Sequence, residues 1–103
     1  MSTQVKTVDI AKDFTRYPAG RFLKDGPFSG EAFQQRFLLP AIKNNEHLVI
    51  RFDGAAGYGS SFLEEAFGGL VRLGYAPDKV LSTFEIDTQD GSLKAEIVEY
   101  IQN

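Results

Sequence analysis

The chain has 103 residues, enough for one domain and too few for two. It is 43% hydrophobic and 24% charged with a net charge of −3, a globular composition without the basic surface of a general nucleic-acid binder. The absence of cysteine and the single histidine exclude disulfides, thiolate metal ligands, cysteine nucleophiles and a histidine-rich metal site within one chain.

The opening residues lack the apolar run of a signal peptide, and no stretch approaches the roughly 20 apolar residues of a membrane span. The expectation is a soluble, cytoplasmic protein with no membrane partner. Nine Phe and four Tyr without Trp point to a core built on aromatic burial.

Val5, Val8 and Ile10 predict a first strand over 5–10. Residues 11–17 read as a short helical turn or loop, which Pro18 stops. Pro18, Gly20, Gly26, Pro27 and Gly30 punctuate a connector in which 21–24 could be a short strand before an Asp-Gly turn. Ser29 is a natural N-cap for a helix carrying Phe33, Phe37, Leu38, Ala41 and Ile42 on one stripe. Pro40 should kink that helix or end its first part near Leu39.

Leu48 to Phe52 is apolar except for Arg51, which suits a central strand covered on both faces. After a glycine-rich loop, Phe62, Leu63, Ala66, Phe67, Leu70 and Val71 define a helix with one broad buried face, leaving Glu64, Glu65 and Arg72 towards water. Gly68 and Gly69 each cost about 1 kcal/mol there relative to Ala, so a close approach to the sheet or a partner is expected to offset them. Gly74 suits a C-cap. A strand is expected within 80–87, best placed at 83–87. Asp90-Gly91 reads as a turn, and Ser92 as the cap of a last helix whose Leu93, Ile97, Tyr100 and Ile101 face inward. The alternation of strands and helices is that of a small α/β domain.

The stretch from Asp53 to Phe62 concentrates the chemistry. A helix N-terminus carries unpaired N–H groups and about half a positive charge, so a bound anion or a phosphate on Ser60 or Ser61 is favourably placed. Gly57 and Gly59 let a ligand or partner approach the backbone. The plainer reading is that Ser60 caps the helix and the glycines make a tight turn.

Gly57-Tyr58-Gly59 resembles the start of a dinucleotide fingerprint, but Phe62 stands where its third glycine belongs, and no lysine follows for a phosphate loop. A nucleophile elbow also fails, because no glycine closes it after Ser60 or Ser61. His47 precedes the central strand and is expected at the opposite end of the sheet from Ser60. Asp53 with Glu64 and Glu65 could form a carboxylate cluster, although helical spacing reads the glutamates as a solvated face. Arg16, Arg21 and Lys24 either meet an acidic partner or phosphate, or are solvated charges on the connector.

A strand ending in Asp53, a short loop, two serines and an amphipathic helix resembles the centre of STAS domains, the domains of anti-sigma-factor antagonists and sulfate-transporter tails. More closely, Asp53 to Leu70 and the upstream Gly20 to Glu31 resemble the STAS-like family DUF4325, with Tyr-Gly-Ser-Ser-Phe-Leu-Glu-Glu-Ala-Phe over 58–67 as the most specific part. In antagonist domains an Asp-Ser-Ser-Gly motif opens this helix, and a partner kinase phosphorylates its second serine. Gly59 stands at that aspartate, Ser60 at the first serine, Ser61 at the phosphorylated one and Phe62 at the glycine.

The resemblance implies a single STAS-like domain over 1–103, with a mixed central sheet and helices packed mainly on one side. It further implies a bacterial, non-enzymatic signalling module that binds a protein partner, such as a histidine-kinase-like ATPase or serine kinase. Ser61 and then Ser60 are the candidate phosphoacceptors, with Asp53, Gly57, Tyr58, Gly59, Phe62, Glu64, Glu65 and Arg21 as the partner- or anion-binding surface. No cofactor or metal is expected. The alternative is a small-ligand or nucleotide-binding module using the same glycine loop and helix N-terminus.

Overall fold

The computed structural model describes residues 4–103. Strands β1 (Val5–Asp9), β2 (His47–Arg51) and β3 (Phe84–Asp87) form a three-stranded sheet in the order β1-β2-β3. Both pairings are parallel, so the α/β class is as expected but the sheet is not mixed among the described residues. Each strand must return to the same end before the next begins, and helices make those returns. Helix α1 (30–43) joins β1 to β2, α2 (60–72) and α3 (Pro77–Thr83) join β2 to β3, and α4 (Gly91–Gln102) ends the chain.

Register explains which residues are buried. Leu48 pairs with Phe84 and Val8 with Ile50, placing them on the inner face, where all four are buried. The opposite face carries Thr7, Val49 and Glu85 in one row and Asp9, Arg51 and Asp87 in the next. Helices cover the inner face alone. The central place of β2 is as expected, but its cover on both faces is not. Arg51, the one interruption of the apolar run, marks the solvent side and lies 3.4 Å from the Asp87 carboxylate.

Several local expectations give way to side-chain hydrogen bonds. Residues 21–24 are not a strand, because the Asp25 carboxylate accepts the N–H groups of Arg21 and Phe22 and closes a 3₁₀ turn over Leu23–Asp25. Those N–H groups hold the Asp25 carboxyl below its ordinary range, that of Phe22 most strongly. Ile10–Phe14 is a single π-helical turn.

Helix α1 runs through Pro40 without stopping. A π-helical turn, Gln34–Leu38, precedes the proline and is closed by the Leu39 N–H on the Gln34 carbonyl. Val80 to Thr83 belong to α3, which has Pro77 in its first turn, so β3 starts only at Phe84. Asp90, not Ser92, caps α4, accepting from the N–H groups of Ser92 and Leu93.

Helix α2 is the centre of the packing. Phe62, Leu63, Ala66, Phe67 and Leu70 are all within 1% of complete burial. Its glycines serve helix contacts rather than contact with the sheet. A Cβ on Gly68 would lie 3.3 Å from the Tyr100 carbonyl oxygen of α4 and 2.5 Å from the Glu64 carboxylate. One on Gly69 would lie 2.5 Å from the Gln34 side-chain nitrogen of α1. Gln34 is buried and donates to the Glu65 carbonyl at 2.9 Å, which satisfies its amide inside the α1–α2 contact. Gly30 at the start of α1 lies against the Phe62 carbonyl, where any side chain would collide.

Candidate switch site at the start of helix α2

Strand β2 ends at the carboxyl edge of the sheet, and the loop over 53–59 leads from there to α2. Gly54 takes a positive φ of 109° in this loop, a conformation that favours glycine. Asp53 accepts from Thr88 Oγ1 at 2.7 Å and from the Gln89 N–H at 3.1 Å. These two donors, Thr88 first, hold its carboxyl below the usual range. Asp53 therefore ties the loop before α2 to the loop before α4. Tyr58 turns its hydroxyl inward to donate to the Phe52 carbonyl at 2.6 Å, and burial raises its pKa.

Helix α2 starts at Ser60, and its N-cap is Gly59, in an extended conformation with no side-chain capping bond. Ser60 is thus not the cap. Both serines occupy the first turn and are exposed. Gly57 and Gly59 have open space where a Cβ would project. The next residue, Phe62, is 1% exposed and packs its ring 5.9 Å from Phe33 and 6.0 Å from Tyr58. It belongs to the core and offers a partner no surface.

One turn further along, Glu64 and Glu65 enter an ion-pair network. Arg21 reaches Glu64 at 2.6 Å and Glu65 at 3.5 Å, and Arg72 reaches Glu64 at 2.5 Å and Glu65 at 2.9 Å. The Arg72 hydrogen bond, with desolvation opposing and Arg21 assisting, holds the Glu64 carboxyl below its ordinary range. The same contact raises Arg72. The network draws the connector onto α2 and keeps both glutamates away from Asp53, so the three carboxylates do not form a cluster. Arg72 follows the glutamates by two helical turns, a spacing that places them on one stripe.

A cleft of about 430 Å³ lies between the loops that lead into α2 and α4. Asp53, Asp90 and Glu96 line it with Tyr58 and Leu93, whereas Ser60 and Ser61 lie outside it. His47 is at the other end of β2, beside the Ser82 carbonyl at 3.1 Å and the Glu85 carboxylate at 3.7 Å, so it cannot serve either serine. No group of three His, Asp or Glu converges to hold a metal among the described residues, and no helix there is long and apolar enough to cross a membrane.

A three-stranded parallel sheet backed on one face by crossover helices, with two exposed serines opening the central helix, makes a small α/β domain. The STAS-like domain family of unknown function DUF4325 matches residues 29–91, more than half of the chain, and the protein belongs to that family. No curated protein and no solved structure matches it.

Ser60, Ser61, Gly57 and Gly59, expected at the start of α2, lie there, and Arg21 reaches the same helix through Glu64 and Glu65. Sequence reasoning missed Thr88 and Gln89, which hold Asp53 from a loop 35 and 36 residues away. Such a pairing leaves no mark at either position in a single sequence.

Proposed function

We propose that the protein is a non-enzymatic regulatory module that binds a protein partner at the start of α2 and is switched by phosphorylation there. Ser61 is the first acceptor and Ser60 the second. The observation that carries this reading is the exposure of both hydroxyls in the first turn of α2 behind a glycine cap that offers no oxygen to the helix N–H groups. A phosphate placed there finds those N–H groups and the positive end of the helix. It adds about −1.5 to −2 charges to a surface made by Gly57, Gly59 and the outer edge of α2. ATP would supply the phosphoryl group to the serine Oγ, with ADP leaving, through a histidine-kinase-like ATPase or serine kinase as partner.

A pull-down from native lysate with Ser61→Asp and Ser61→Ala baits tests the reading. Quantitative mass spectrometry should find at least one partner whose recovery differs between them. Identical recovery of every captured protein would sink it.

The second reading, a small-ligand module, draws on the cleft between the loops before α2 and α4. Its three carboxylates oppose phosphate, so this reading favours a cationic ligand over a nucleotide. A thermal-shift screen with amines, nucleotides and phosphorylated metabolites separates the two readings. Stabilisation by an amine, lost in Asp90→Asn, would favour this one.

A further inference from the structure

The stripe of α2 that carries Glu64 and Glu65 begins at Ser61. Ser61 precedes them by three and four residues, the spacing at which helix side chains are neighbours, about 5–6 Å apart at Cβ. It is exposed and lies inside the helix, past the Gly59 cap.

The two glutamates are held from both sides. Arg72, two turns further along α2, contacts them at 2.5 Å and 2.9 Å. Arg21 comes from the connector before α1. Its carbonyl accepts the Glu31 N–H at 2.9 Å, the Gly20 carbonyl accepts the Gly30 N–H at 3.0 Å, and Gly30 rests on the Phe62 carbonyl. The Arg21 backbone is therefore fastened beside the turn of α2 that carries the serines. From there its side chain, 32% exposed, runs to Glu64 at 2.6 Å and Glu65 at 3.5 Å.

Charge decides what a phosphate on Ser61 does here. The two guanidinium groups and two carboxylates of this network balance. A phosphoserine adds about −1.5 to −2 charges beside both glutamates and repels them. It also offers Arg21 a more highly charged acceptor whose oxygens suit the planar guanidinium fork. The exchange strands no carboxylate, because Arg72 already reaches both Glu64 and Glu65.

Resting on the switch reading for the phosphate itself, we infer that Arg21 is its receptor within the chain. The guanidinium turns from Glu64 and Glu65 to the phosphoryl oxygens and ties the connector to the first turn of α2, while Arg72 keeps the glutamates.

Phosphorus NMR titration of the full chain, with phosphoserine genetically encoded at position 61, tests this without any kinase. Failure of every kinase to modify the chain would sink the switch and leave this result standing. The second ionisation of the phosphate, ordinarily about 6, should lie lower in the folded chain than in concentrated urea. Arg21→Gln should raise it by at least about 0.5 pH unit, and Arg21→Lys by less. The positive end of the helix acts on the phosphate in every variant, so the difference between wild type and Arg21→Gln is what counts. The Arg21 Nε–H resonance of the wild-type phosphorylated chain should follow the same midpoint, a readout that needs no variant. A phosphate that titrates alike in wild type and Arg21→Gln, or responds more to Arg72→Gln, would overturn the inference. So would an Arg21 resonance that stays fixed through the titration.

Discussion

Helices α1 and α2 cross at their first turns, where Gly30 rests on the Phe62 carbonyl, yet the two turns are finished in opposite ways. Ser29 at the head of α1 is buried and accepts the Ala32 N–H at 3.1 Å, so its hydroxyl is consumed by the helix it starts. At the head of α2 the capping position is a glycine, and the serines stand one and two residues inside, turned outward. One residue of offset converts a structural hydroxyl into an available one. Serine beside a helix start thus means different things according to whether it precedes or follows the first helical residue.

The largest expected effect separates the two halves of the first turn of α2. Phe62→Ala removes a fully buried ring from the aromatic cluster and should cost about 3–5 kcal/mol in urea unfolding. A loss under about 1 kcal/mol would mean that Phe62 is not the anchor described.

Next comes Ser29→Ala, which removes the α1 cap and leaves a buried N–H unpaired. It should cost about 1–2 kcal/mol, and Ser29→Gly somewhat less. Glycine costing as much as alanine would deny Ser29 a capping role.

A smaller effect concerns pH. The folded-state pKa of Glu64 is lowered by Arg72 and Arg21. Its contribution is therefore fully present above the unfolded value of about 4.3 and is lost as pH falls through the lower folded value. Stability should decline as pH drops below about 4, and Glu64→Gln should flatten part of that decline, by up to about 1 kcal/mol given the exposure of the pair. Parallel acid profiles for variant and wild type would contradict the network.

The smallest effects bear most directly on the open start of α2. Gly59→Asp supplies the missing cap oxygen where there is room for it, and should stabilise by a few tenths of a kcal/mol. Ser60→Ala and Ser61→Ala should change stability by less than about 0.5 kcal/mol each. A cost near that of Ser29→Ala at either position would show that its hydroxyl serves the fold.

Much of this was legible in the sequence because it is local. Helical periodicity located the buried face of α2, Ser29 announced α1, and the apolar run over 48–52 placed β2 at the centre of the sheet. What was not legible depends on distant groups or on side chains competing with the backbone. Asp25 folds 21–25 into a turn where a strand was expected. The solvent face of the sheet shows in the sequence of β2 only as Arg51. Phe62 is expected both on the buried face of α2 and on the partner-binding surface, and its burial against Phe33 fits the first of these alone. The ion pairs of Arg21 with Glu64 and Glu65 likewise join residues far apart in the chain and leave no mark in the sequence.

The central claim is that an exposed serine opening α2 accepts a phosphoryl group. Its most direct test is intact-mass and fragment mass spectrometry of the full chain, isolated from its native cells and after incubation with ATP and a cognate ATPase or serine kinase. The account predicts the mass of one phosphoryl group, located on Ser61 or Ser60 and absent from the Ser60→Ala/Ser61→Ala variant. An unmodified chain under every condition, or phosphate only at other residues, would contradict it.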